Sequence, residues 1–130
     1  MKRLEQLNLR IEIYMSYDTN VYYNPKKSGL VQIDSLDEPG LSYEYNTLCV
    51  WQDTKTKRVF YVQDSGCSCP TPFEGYFYRA AGADTNLDEV KETNFFVFEQ
   101  AVNNFPVQMS ERQDLIKKVA DLLAKNGNNE

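Results

Sequence analysis

The sequence predicts an α+β fold, an antiparallel meander of four or five strands covered on one face by two or three C-terminal helices. Three observations carry this reading. Residues 9–17 alternate with a period of two, residues 43–63 form two aromatic, β-branched runs joined by a polar turn, and the C-terminus carries a capped apolar stripe. At 130 residues, 42% hydrophobic and 13% aromatic, the chain has globular composition and is expected to form a single domain, 1–130. Within it the strand meander spans about 9–64, a motif loop 64–75 and a helical region about 86–126.

In the first run Leu9, Ile11, Ile13, Met15 and Tyr17 share one face, as in a strand with one side on the core. Asp18-Thr19-Asn20 is turn chemistry, Val21-Tyr22-Tyr23 reads as a short second strand, and residues 30–34 as another. Ser35-Leu36-Asp37-Glu38-Pro39-Gly40 reads as a loop. In the run 43–52, Tyr43, Tyr45, Cys49 and Trp51 fall on one face and Leu48 and Val50 on the other, so the end of this strand is expected to be covered on both sides. Asp53-Thr54-Lys55-Thr56-Lys57 is of hairpin length, and residues 58–63 return as its partner.

Thr85 or Asn86 is expected to cap a short helical turn through Leu87-Asp88-Glu89-Val90, and Thr93 or Asn94 to start a helix ending before Pro106. Ser110-Glu111-Arg112-Gln113 matches a capping box. Leu115, Ile116, Val119, Leu122 and Leu123 then recur at helical spacing, with Gly127 expected as the left-handed stop.

Composition excludes several kinds of chemistry. There is no histidine, which removes Ser–His and Cys–His nucleophile pairs and every histidine-ligated metal site. The balance of 14 basic to 19 acidic residues, net −5, argues against nucleic acid as the partner, because phosphate binding relies on Lys and Arg. No apolar run approaches a membrane span, and the first residues carry no apolar signal region, so neither membrane nor secretory pathway is expected. Three cysteines, an odd number, fit a reduced cytoplasm without a disulfide framework.

Residues 64–75, Asp64-Ser65-Gly66-Cys67-Ser68-Cys69-Pro70-Thr71-Pro72-Phe73-Glu74-Gly75, change the character of the chain. Proline donates no ladder hydrogen bond and glycine costs backbone entropy, so the segment reads as a loop. With Val50-Trp51 and the hairpin before it, this run resembles a family of small proteins of unknown function from tailed bacteriophages of actinobacteria and other Gram-positive hosts. That family shares an aromatic strand with a Trp, a hairpin and a DSGCSCPxPFE loop, and the likeness covers about residues 41–75. The resemblance implies a phage protein made in a bacterial cytoplasm, and it implies no activity.

Four readings of the loop stand side by side. Cys67 and Cys69, with Cys49 and Asp64, offer an incomplete metal set, since structural zinc prefers two C-x₂₋₄-C pairs. The C-x-C pair offers a strained, reducible disulfide. Turn residues Ser65, Gly66 and Ser68 offer a nest of backbone N–H groups for an anion, stiffened by two prolines. The bland reading is a packed corner, with Phe73 plugging the core and Asp64 and Ser65 capping backbone groups. The candidate ligand- or partner-binding residues are Asp64, Ser65, Gly66, Cys67, Ser68, Cys69, Thr71, Phe73 and Glu74, with Trp51 on the adjoining strand. The expected function is a non-enzymatic phage accessory protein, without cofactor, that binds a host protein or a small anionic molecule of bacterial defence signalling. The alternative is a metal- or thiol-dependent enzyme centred on Cys67, Cys69 and Asp64.

Overall fold

The computed structural model describes residues 19–67 and 71–128. The strand expected at 9–17 lies outside the described residues. Three strands form an antiparallel meander: β1 (Leu30–Asp37), β2 (Glu44–Asp53) and β3 (Val59–Cys67). A two-strand ribbon follows, β4 (Tyr78–Arg79) with β5 (Asp84–Thr85). Then β6 (Asp88–Val90) returns to pair antiparallel with β3, giving the sheet order β1-β2-β3-β6. Two helices end the chain, α1 (Phe95–Asn103) and α2 (Met109–Asn128).

The period of two in β2 decides the layers. Leu48 and Val50 face α1 and α2, where they meet Phe98, Val102, Phe105, Leu115 and Val119 in one buried cluster. Cys49 and Trp51 face the other way, into a second cluster with Val21, Leu30, Phe60, Phe73, Tyr78 and Leu87. Residues 48–51 are completely buried, so the expected two-sided cover of this strand is what the chain builds. The helices cover one face, as expected. Among the described residues the other face is covered without an α-helix, by residues 19–28 and by residues 71–87, largely irregular chain around the β4–β5 ribbon.

A β-bulge at Ile33 lets β1 serve both clusters. Leu30 and Leu36 have the same parity, and a regular strand would point them to one face. The register shift between Gln32 and Asp34 reverses that. Leu30 therefore packs with Trp51, and Leu36 packs with Leu48.

Several expectations need correction. The strand at 30–34 runs on to Asp37, through residues read as loop. Val21-Tyr22-Tyr23 is a turn, because the Asn20 carboxamide oxygen accepts from the N–H groups of Tyr22 (2.8 Å) and Tyr23 (3.0 Å). Tyr43 lies outside β2 and is 80% exposed. The helical turn expected at 86–90 is strand β6, since pairing of Val90, Glu89 and Asp88 with Val59, Phe60 and Tyr61 overrides their local helical spacing. The helix start is also displaced: the Glu111 carboxylate reaches back to the Gln108 N–H at 3.3 Å, so Ser110 lies inside α2. Gly127 continues the helix, and the left-handed glycines among the described residues are Gly29, Gly40 and Gly82.

Because β2 belongs to both clusters, damage to one face is expected to unfold the other. Leu115→Ala, at a fully buried position under α2, is expected to cost about 2–5 kcal/mol. Trp51 fluorescence should report the whole loss as a lower denaturation midpoint, although Trp51 sits in the opposite cluster. An unchanged Trp51 transition would show that the two faces unfold independently.

Candidate functional site

The motif residues separate by strand parity. β3 continues through Asp64, Ser65, Gly66 and Cys67, so the segment read as loop from residue 64 is strand as far as Cys67. It stays extended because Glu44, Tyr45, Asn46 and Thr47 pair with Cys67, Gly66, Ser65 and Asp64. Gly66 has a packing reason: a Cβ there would lie 3.2 Å from the Tyr45 hydroxyl oxygen. That hydroxyl donates to the Asp64 carboxylate at 2.9 Å, and the Phe73 N–H donates to the same oxygen at 2.7 Å.

Asp64 thus staples the returning chain to the sheet. Phe73 is held with φ 62°, a left-handed conformation uncommon for a non-glycine residue, and its ring is fully buried. The ring stacks on Tyr22 (centroids 5.0 Å) and meets Trp51 edge-on (5.5 Å). Trp51 donates its indole N–H to the Val21 carbonyl at 2.9 Å and is wholly buried. Asp64, Gly66, Phe73 and Trp51 therefore form one packed corner. Ser65 and Cys67 are exposed on the opposite side of β3, Thr71 is half-buried in the turn closed by the Glu74 N–H, and Glu74 is exposed. Ser68 and Cys69 lie outside the described residues.

The cysteines do not converge where the structure describes them. Cys49 pairs with Val62 inside the second cluster, whereas Cys67 lies five residues further along β3 and on the other face. Five residues of strand span roughly 16–17 Å. Burial raises the Cys49 thiol pKa strongly, so it stays a protonated, apolar packing group. Among the described residues no three His, Cys, Asp or Glu side chains are grouped to hold a metal ion.

One cleft, about 640 Å³ in volume, lies beside the motif corner. Its first wall is the N-terminal segment, with Asn20, Lys27 and Ser28; its second is the strap of residues 74–80. Asn20 shapes the first wall and ties it to the chain just before the second, its carboxamide N–H donating to the Pro72 carbonyl at 3.1 Å. Each wall contributes one cation, Lys27 and Arg79, against one carboxylate, Glu74. Arg79 lies over the Phe77 ring, 4.4 Å from its centroid, and makes an exposed pair with Asp84. Tyr76, Phe77 and Tyr78 give the strap its aromatic lining.

Sequence reasoning missed the residues that fix this strap. Asp53 is buried and accepts from the N–H groups of Lys55 (2.8 Å) and Thr56 (2.9 Å) in the hairpin turn. Its second oxygen accepts the Tyr78 hydroxyl. Burial raises the Asp53 pKa, but the bonds from Tyr78, Thr56 and Lys55 outweigh it and lower the value overall. Beyond β4, Ala80 (φ 54°) and Ala81 (φ 53°) are both left-handed, a strain of about 1–3 kcal/mol each. The detectable signal was Asp53 before Thr-Lys-Thr, a turn-forming pattern; nothing in Ala80-Ala81 marks its backbone.

Two outcomes test the corner. Asp64→Ala leaves the Phe73 N–H and Tyr45 hydroxyl without their acceptor and is expected to cost about 2–3 kcal/mol in denaturant unfolding. A cost below about 0.5 kcal/mol would mean that the staple is dispensable. Burial, then the Asp64 bond, pushes the Tyr45 hydroxyl up to about 12 from 10.0. A raised folded value keeps its stabilisation intact below pH ~10 and loses it as the pH climbs towards 12. Stability is therefore expected to fall across that alkaline window, and Tyr45→Phe should make the fall shallower in pH-dependent melting curves.

Comparison with known proteins yields a family. No match to the chain exists among curated proteins or solved structures. Residues 19–126, which span the sheet, the strap, the cleft and nearly all of α2, match the family described as Domain of unknown function (DUF7574), and the chain belongs to that family.

Proposed function

We propose that this protein is a non-enzymatic bacteriophage accessory protein that binds a small anionic molecule, of the kind used in bacterial defence signalling, in the cleft between residues 19–28 and 74–80. The observation that carries the reading is the placing of one cation on each wall of that cleft. Lys27 comes from one segment and Arg79 from the other, with Glu74 also on the lining and Asp84 paired to Arg79 at 3.2 Å. A concavity with few polar groups among aromatic side chains suits a small ligand, and about 640 Å³ lies within the usual ~300–1,000 Å³ range. The Phe77 ring orients the Arg79 guanidinium, which limits the entropy lost when an anion is gripped.

The phage assignment rests on the resemblance of residues 41–75. The motif corner supports binding indirectly, by fixing Phe73 and Glu74 at the start of the strap. Asp64 and Cys67 lie on opposite faces of β3, which speaks against an enzyme centred on Cys67, Cys69 and Asp64.

Isothermal titration with inorganic pyrophosphate, ADP and a cyclic dinucleotide tests the proposal. At least one probe is expected to bind with a salt-sensitive affinity. Lys27→Gln combined with Arg79→Gln is expected to weaken that binding at least about tenfold while leaving the melting temperature close to wild type. Binding by none of the probes, or equal binding by the double variant, would overturn it. A host protein that co-purifies with wild type but not with the double variant would give the cleft to a macromolecule instead.

A further inference from the structure

We infer that Arg58 is the positioning residue of the cleft: without lining it, Arg58 holds the left-handed rim Ala80-Ala81-Gly82, and through that rim Arg79, with Glu89 as its anchor. The inference rests on the reading of the cleft given above and adds the device that keeps one wall in place.

The geometry begins at the end of the β2–β3 hairpin. The Arg58 guanidinium makes two parallel bonds to the Glu89 carboxylate, from Nε at 3.1 Å and from Nη2 at 2.7 Å. Such a fork fixes the plane of the guanidinium as well as its position. Its remaining arm, Nη1, donates to the Ala81 carbonyl at 3.0 Å. The group also lies over the Phe60 ring, 5.2 Å from its centroid. Glu89 is set in turn by β6, where it pairs with Phe60 on β3. One side chain therefore ties the main sheet to the middle of the strained tract.

The tract needs that tie. Ala80 and Ala81 occupy a conformation that L-residues with a Cβ disfavour, and such residues persist only where the surroundings over-determine them. Within the tract one turn bond runs from the Ala83 N–H to the Ala80 carbonyl at 3.1 Å, and the β4–β5 pairing of Arg79 with Asp84 closes its two ends without touching Ala81. Gly82 is matched to Arg58 as well as to its own φ of 91°: a Cβ there would collide with Nη1 and sit 3.0 Å from the Tyr78 hydroxyl. The rim, Arg58 and Tyr78 thus fit together with no spare space. Ala80 and Arg79 are adjacent and both line the cleft, so this rim continues directly into the Arg79 wall.

Lysine cannot reproduce this arrangement, because an ammonium is a point donor and cannot fork to Glu89 while reaching Ala81. That makes Arg58→Lys the informative variant, with Glu89→Gln removing the anchor and Gly82→Ala pressing on the rim from the other side. Two readouts are taken on each variant: amide hydrogen exchange at residues 79–83, with residues 115–123 of α2 as the internal reference, and titration with pyrophosphate, ADP and a cyclic dinucleotide. Arg58→Lys and Glu89→Gln are expected to speed exchange at 79–83 about tenfold relative to the reference, and to weaken the best-binding probe about tenfold. Arg58→Ala should do no less, and the lysine should fail to rescue it. Unchanged exchange at 79–83 in both variants overturns the inference whatever the probes do. Faster exchange with unchanged affinity also overturns it, since Arg58 would then order the rim without setting the cleft. If wild type binds no probe while the exchange effect is present, the anionic ligand fails and the hold of Arg58 on the rim stands.

Discussion

The structure depends on one strand whose centre has no solvent face. Residues 48–51 of β2 are buried on both sides, so every other element is placed by which side of that strand it must cover. The two helices are sufficient for one side. The other side has no α-helix among the described residues, and an apolar surface containing Trp51 and Phe60 cannot be left wet at roughly 25 cal/mol per Å². Irregular chain must therefore be made rigid enough to serve as a layer. That requirement explains most of the unusual local chemistry: an Asx turn at Asn20, the Asp64 staple, the Asp53–Tyr78 bond and the Arg58 fork.

Buried or half-buried carboxylates do this work because loops carry unpaired backbone N–H groups that a helix or sheet would have satisfied. Asp53 accepts two main-chain N–H bonds and Asp64 one, and each also accepts a tyrosine hydroxyl. Each therefore neutralises the cost of burying loop backbone and an aromatic hydroxyl together. In both cases the tyrosine is held well above its ordinary pKa, by burial first and the carboxylate second. Asp64, offered by the sequence as a ligand or catalytic group, serves as a fastener, as does Asp53.

The cleft follows from the same solution. Two irregular segments laid on one sheet face pack less completely than two helices would, and the space between residues 19–28 and the strap is the result. Its rim is strained at Ala80 and Ala81, and the strain is held from outside the cleft. A layer built from irregular chain is thus also a place where small side chains and fixed cations can be presented to solvent.

The elements legible in the sequence were those whose reason is local or periodic. The β2–β3 hairpin follows from alternation and a polar turn, α2 from a stripe at Leu115, Val119 and their neighbours, and the two-sided burial of β2 from apolar residues at consecutive positions. The motif itself announced a specialised corner. Tertiary structure alone decided the rest. Strand β6 is three residues long and owes its form to β3, about thirty positions earlier, so Leu87 and Val90 looked helical, while β4 and β5, two residues each, pair only with one another. The bulge at Ile33 is fixed only when both clusters are present to claim Leu30 and Leu36. The cleft joins Lys27 to Arg79 across fifty-two positions of sequence, and the Arg58–Ala81 bond spans twenty-three. Local pattern carries no information about distant segments sharing a face, because their meeting is set by what the sheet between them must keep dry.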